Sequence, residues 1–260
     1  MSSHRRPLKV YLITEDDPLY VIRFFDVFLR DCPRDRIELA GITVSRAFHE
    51  PLLRTARRIM RFYGFVNFVR LLARWGRAKL SGRCISSIAS ASRVPVIEAE
   101  SVNSQEFRDR LRELDVDVVV SVAAPEVFKA PLLSIPRLGC INIHSGRLPE
   151  YRGMMPTFWQ MRAGERVATV TIHEMAEKLD AGGVIATVAF PLQERDSLDR
   201  VITGTKEAGA RLMIDTLLRF DAEQGVRPAS TPIDIATGSY NRFPDPKSVR
   251  EFRARGHRML

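Results

Sequence analysis

Residues 116–122, Val-Asp-Val-Val-Val-Ser-Val, form a near-continuous apolar run. A run of this kind reads as a parallel strand buried on both faces, so helices must cover it from two sides. The surrounding pattern supplies them. Lys9–Thr14 is rich in β-branched and aromatic residues and ends at Glu15, Asp16, Asp17 and Pro18, as a first strand running into a turn would. Residues 19–31 repeat apolar side chains at helical spacing, and Ile37–Ser45 is a second strand. Strand, helix, strand is the order of a βαβ unit. Further along, Asn103 or Ser104 would cap a helix through Phe107, Leu111 and Leu114, immediately before the apolar run. Ile85–Ser92, Glu126–Ser134, Thr157–Ala163, 197–220 and 246–255 also read as helical, while Val94–Ile97, Cys140–His144, Val167–Glu174 and Val184–Phe190 read as strands. The expected fold is α/β, with a doubly wound, mostly parallel sheet.

At 260 residues, with 45% hydrophobic and 27% charged side chains, the chain can bury one sizeable core and is not disordered. Its net charge of +9 is local. Between residues 46 and 83 stand nine arginines and Lys79 against Glu50 alone, so the rest of the chain is formally neutral. The charge describes one segment and does not by itself point to nucleic acid. That segment carries two helix patterns that break near Gly64, with Ala56, Ile59, Met60 and Tyr63 on one face of the first. Phe65, Val66, Phe68, Val69, Leu72 and Trp75 form a broader face on the second. Two readings stand: helices packed on the sheet with solvated arginines, or a lid or surface for an anionic substrate, a partner or a membrane.

Cys32, Cys84 and Cys140 are odd in number and widely spaced, which suggests neither a disulfide framework nor a zinc site and favours a reducing cytoplasm. No signal-peptide pattern precedes the first strand, and no apolar run is long enough to span a membrane. There is no G-x-G-x-x-G after the first strand and no Walker-type loop.

Chemistry concentrates at Gly139–Gly153, Gly-Cys-Ile-Asn-Ile-His-Ser-Gly-Arg-Leu-Pro-Glu-Tyr-Arg-Gly. Asn142 and His144 are two apart on a strand and so project from one face. A strand end followed by a Gly/Pro loop is where open α/β sheets place ligands. A second cluster, Thr171-Ile172-His173-Glu174-Met175 and Lys178-Leu179-Asp180-Ala181-Gly182-Gly183, adds Asp180, which by itself reads equally well as a turn residue. His173 reads as a structural strand residue. His4, His49 and His257 lie outside any motif.

Taken with Pro156-Thr157-Phe158-Trp159 and Gly164-Glu165, these motifs resemble the 10-formyltetrahydrofolate-dependent formyltransferases, a family that includes methionyl-tRNA formyltransferase, glycinamide ribonucleotide transformylase and the sugar N-formyltransferases. The specific part of the resemblance covers about residues 90–190. Ser145-Gly146 stands where many members have Pro-Ser, and Ala176 follows Met175 where an acidic residue is usual. By this resemblance Asn142, His144 and Asp180 are the expected catalytic set. Formyl transfer needs an oxyanion donor, which an amide such as Asn142 can be, and a group that moves a proton near neutral pH, which His144 can do. Asp180 would orient or charge-stabilise His144. No metal is required.

The resemblance further implies 10-formyltetrahydrofolate as co-substrate, its pterin against Val122, Ala123, Ala124 and Val127 and the loop containing Ala176, Glu177, Leu179 and Gly182. Ser145, Gly146, Arg147, Tyr151, Arg152 and Gly153 would face the acceptor, with Arg147 or Arg152 neutralising an acceptor anion. The expected domains are a catalytic unit over 1–195, with a basic helical insertion at 46–83, and a helix and tail over 196–260. A small-molecule amine acceptor is expected, a nucleotide-linked amino sugar or a secondary-metabolite amine. Nucleic acid is disfavoured because a methionyl-tRNA formyltransferase would carry a further C-terminal β-barrel. A homodimer and peripheral membrane contact through 50–80 are compatible with the sequence. The competing readings are a non-catalytic member that binds folate or a partner, and a 10-formyltetrahydrofolate hydrolase.

Overall fold

A computed structural model describes residues 6–45 and 51–260. His4, Arg46, His49 and Glu50 therefore lie outside the described residues. Six strands make the main sheet: β1 (Leu8–Glu15), β2 (Ile37–Ser45), β3 (Val118–Val122), β4 (Cys140–His144), and then, beyond the two-residue β5 (Arg152–Gly153), β6 (Val167–Glu174) and β7 (Val184–Pro191). Their spatial order is β2-β1-β3-β4-β6-β7. The first four are parallel, and β6 and β7 extend the sheet as an antiparallel pair. Chain order reverses between β1 and β3, which gives the sheet a topological switch point.

The apolar run becomes β3, every residue of which is buried. Val118, Val120 and Val122 face a core shared with α1 (Val21–Asp31), α4 (Ile85–Ala91) and α8 (Leu198–Leu217). Val119 faces the opposite core, with Phe107 and Leu111 of α5 (Gln105–Glu113) and Leu132 of α6 (Ala130–Leu133). A valine on either face explains why the run shows no alternation. Ser104 caps α5 through its hydroxyl, which accepts from Phe107 N, consistent with one of the two caps expected.

The helix expected at Glu126–Ser134 is much shorter, only Ala130–Leu133. The preceding residues bend and run irregularly instead, tied by side chains. Glu126 accepts from the Ser101 hydroxyl and Val102 N, while the Asn103 amide donates to Val127 O and accepts from Lys129 N. These side-chain bonds satisfy backbone groups that a helix would have used.

The basic segment forms α2 (Leu52–Tyr63) and α3 (Phe65–Leu80), broken at Gly64, whose φ of +81° suits glycine. Both helices contribute to a core at the edge of the sheet, which includes Ala168 of β6. Phe62, Tyr63 and Leu71 join a third core with Phe158 and Met161 of α7 (Pro156–Ala163), Leu198 and Val201 at the start of α8, and Val249 and Phe252 of α9 (Pro246–Ala254). Phe158 stacks on Phe252 with ring centres 4.8 Å apart. A last two-residue strand, β8 (Tyr240–Asn241), pairs in parallel with β5 and brings the chain after α8 beside the Arg152–Gly153 loop.

Candidate active site

Antiparallel pairing of β4 with β6 sets Asn142 opposite His173 and His144 opposite Thr171. Four polar side chains thus share one face at the end of two neighbouring strands. The His173 Nδ1–H donates to Glu174 O at 2.7 Å, because a carbonyl can only accept. Its Nε2 is then an acceptor, and the Asn142 Nδ2 donates to it at 3.0 Å. This contact fixes the Asn142 amide rotamer and leaves its second N–H to point elsewhere. Burial, and after it the charge of His144, push the His173 imidazole down to about 4 against the opposing pull of Asp180. The ring is therefore neutral, as an acceptor must be.

His144 is held by its other nitrogen. Its Nε2 donates to Tyr151 O at 2.7 Å, so in the neutral ring the unprotonated nitrogen is Nδ1, which faces Asp180 Oδ1 at 3.7 Å. The same oxygen lies 3.8 Å from His173 Nε2. Asp180 Oδ2 accepts from Gly153 N at 2.9 Å, and the residue is buried with a left-handed φ of +50°, a conformation that aspartate tolerates better than most. The carboxylate sits between two imidazoles at more than hydrogen-bonding distance, so it acts on them through charge.

Loops around these groups are cross-tied. Arg152 is buried and donates to Leu179 O at 2.7 Å, joining the 151–153 loop to the Asp180 loop. Gly182 is packed so closely that a Cβ there would lie 1.9 Å from Glu174 O. At Gly146 a Cβ would lie 2.5 Å from the Pro156 side chain and 3.0 Å from His144 Nε2, and Gly146 O accepts from the Thr171 hydroxyl at 2.7 Å. Glycine at 146 is thus what allows α7 and His144 their present places.

Arg147 pairs with Glu165 at 2.8 Å and Glu150 at 3.1 Å and lies over the Tyr151 ring. The Tyr151 hydroxyl donates to Glu165 at 2.6 Å; burial and that carboxylate push the phenol up to about 12. Arg147 and Arg152 both have internal partners, so an acceptor anion at either would compete with them. Ser145 O accepts from Thr157 and Gln160, tying the strand end to α7. Val122 ends β3, Ala123 has a φ of +54°, Ala124 is half-buried and Val127 exposed. Across β4, Ala176, Glu177 and Leu179 are exposed on the β6–β7 loop.

Residues 74–217 match the sequence model of the family described as Formyl transferase. The chain belongs to the formyl transferase family. Among curated relatives, methionyl-tRNA formyltransferase of Gloeothece citriformis is 34% identical over 59% of this chain and 46% of its own length. That of Lysinibacillus sphaericus is 38% identical over 48% of this chain and 40% of its own. The formyl transferase match thus spans under half the length of these curated relatives. The fold is similar to glycinamide ribonucleotide transformylase 1 of Symbiobacterium toebii, with a TM-score of 0.61 and 17% identity over 88% of this chain and 100% of that one. It is also similar to a sugar N-formyltransferase of a Shewanella species, at a TM-score of 0.55 and 19% identity over 90% and 76% of the two chains.

In this member of the family, Asn142, His144 and Asp180 are brought together, and His173 joins them. Sequence reasoning treated His173 as structural. Its contact with Asn142 depends on the β4–β6 register, and the only available signal was that His173 and Thr171 share a face of a strand.

Proposed function

We propose that the protein transfers the formyl group of 10-formyltetrahydrofolate to an amine of a small molecule, with Asn142, His144 and Asp180 as the catalytic residues. The observation that carries this reading is the Asn142 amide, held from one side by neutral His173 and left with one free N–H. The amine nitrogen attacks the formyl carbon, and the oxygen becomes an oxyanion. Asn142 donates its remaining N–H to that oxygen, a contribution of the kind typically worth about 10²–10³ in rate. His144 Nδ1 takes the proton released by the attacking nitrogen, and the imidazolium is stabilised by Asp180 at 3.7 Å. Collapse of the intermediate breaks the bond to folate N10, which receives the proton. The products are the formamide and tetrahydrofolate.

The folate would lie against Val122, Ala123, Ala124 and Val127 on one side and Ala176, Glu177, Leu179 and Gly182 on the other, with the acceptor beside Ser145–Arg147 and Tyr151–Gly153. Residues 1–195 with the 46–83 insertion would form the catalytic unit, and 196–260 its C-terminal extension. A nucleotide-linked amino sugar is the first acceptor to test, because the arginines of α2 would suit its phosphates. Methionyl-tRNA is the second, since the curated sequence relatives carry that name.

Purified protein is to be mixed with 10-formyltetrahydrofolate and a panel of nucleotide-linked amino sugars, glycinamide ribonucleotide, simple amines and methionyl-tRNA, following tetrahydrofolate release. Release that depends on one amine class supports the reading and names the acceptor. Release without any amine favours a hydrolase. Folate binding with no release from any acceptor favours a binding member.

A further inference from the structure

Residues 51–83 hold nine basic side chains and no Asp or Glu. Three are neutralised inside the fold: Arg74 by Asp199, Lys79 by Asp16 and Arg83 by Asp26. Among the described residues, Arg54, Arg57, Arg61, Arg70 and Arg77 have no carboxylate partner. The same segment exposes an unusual amount of apolar surface. On α3, Phe65, Val66, Val69, Leu72 and Leu80 are 70%, 62%, 47%, 54% and 90% exposed. Their spacing places them on one side of the helix. The opposite side is anchored to the protein by Asn67 on Tyr63 O, by buried Leu71 and by Arg74 on Asp199. Arg70 and Arg77, seven apart, border the apolar stripe, and Trp75 is half exposed at its other margin. On α2, Leu53 is 86% exposed beside Arg54 and Arg57.

From this arrangement we infer that the α2–α3 hairpin docks the protein on an anionic lipid surface. An apolar stripe bordered by uncompensated arginines, with a tryptophan at its margin, matches the interface between acyl chains and charged headgroups. A single stripe this apolar is rarely left to water. Charge selects the occupant. A second copy of this chain would bring an equally basic segment against this one, and like charges disfavour that pairing. On α2, a groove of about 270 Å³ is lined by Arg54, Arg57, Arg58 and Arg61 over Phe62 and Phe243, a setting in which guanidinium groups can hold a phosphate. None of the stripe residues belongs to the catalytic site, so docking and formyl transfer are separable.

The test is flotation of the full chain with phosphatidylcholine vesicles, with and without phosphatidylserine, alongside size-exclusion chromatography over a range of concentrations. Binding is expected only with phosphatidylserine present, weakening as salt screens the arginines. Phe65→Ser/Leu72→Ser and Arg70→Gln/Arg77→Gln should each weaken it by roughly tenfold or more, with unchanged circular dichroism and unchanged formyl transfer. Failure to float, equal flotation with neutral vesicles, or full binding by either folded variant would overturn the inference. So would a dimer in solution that either variant dissociates.

Discussion

Asn142 is directed from behind. Its amide has two hydrogens, and His173 Nε2 takes one of them, so the direction of the other is set before any substrate arrives. Asn142→Ala should lower kcat by about 10²–10³ with little change in melting temperature. If Asn142 is the oxyanion donor proposed above, His173 acts through it as a positioning residue, and His173→Ala should lower kcat while leaving KM nearly unchanged. His173→Gln, which retains an acceptor, should recover part of that loss. A purely structural His173 would lower thermal stability in both variants without this split. The same ring makes a pH prediction. Its folded value of about 4 lies below the ordinary histidine value of 6.5, so between these limits the unfolded chain binds more protons. Stability should therefore fall as pH drops from about 6.5 to about 4, and His173→Gln should flatten that slope in thermal melts.

Gly146 makes a second residue-scale test. A side chain there meets Pro156 and His144 Nε2, so Gly146→Ser should displace His144 and lower kcat. Asn142 and His144 were legible in the sequence because a spacing of two on a strand places both on one face. Asp180 was legible only through resemblance, since an aspartate before glycines is ordinary turn chemistry. The His173 contact was not legible. It needs the β4–β6 register, and antiparallel register is set by packing across the sheet.

At the scale of elements, strands read well where burial is complete. Ile37–Ser45, Cys140–His144 and Val167–Glu174 end where the sequence places them, because β-branched runs bounded by turn residues have few alternatives. Glu126–Ser134 is helical only over Ala130–Leu133 because a distant residue, Asn103, ties Val127 O and Lys129 N outside a helix. Such a side-chain tie leaves no periodic signal. The Asp180 loop depends on Gly182 in a comparable way. Gly182→Ala would force a Cβ against Glu174 O, and should cost on the order of 1–3 kcal/mol in unfolding free energy. Because the strain falls between β6 and Asp180, kcat should drop along with melting temperature.

For the whole molecule, the doubly wound sheet followed from the alternation of strands and helices, while the placement of α2 and α3 did not. Their apolar faces allowed packing on the sheet or an outward surface; Phe62, Tyr63 and Leu71 pack in a core with α7, α8, α9 and Ala168 of β6, while Phe65, Val66, Val69 and Leu72 are exposed. A basic amphipathic pattern has the same appearance whether it covers a core or faces outward. The molecule thereby separates a neutral α/β body that holds the polar site from a basic hairpin with its own exposed surface. In the mechanism proposed above, the Asn142 amide at the end of β4 drives formyl transfer to an amine. Its most direct test is the initial rate of tetrahydrofolate release, with and without acceptor, for the unaltered protein and for Asn142→Ala at matched melting temperature. Acceptor-dependent release that Asn142→Ala cuts by about 10²–10³ is expected; release unchanged by that substitution, or indifferent to every amine, would rule this mechanism out.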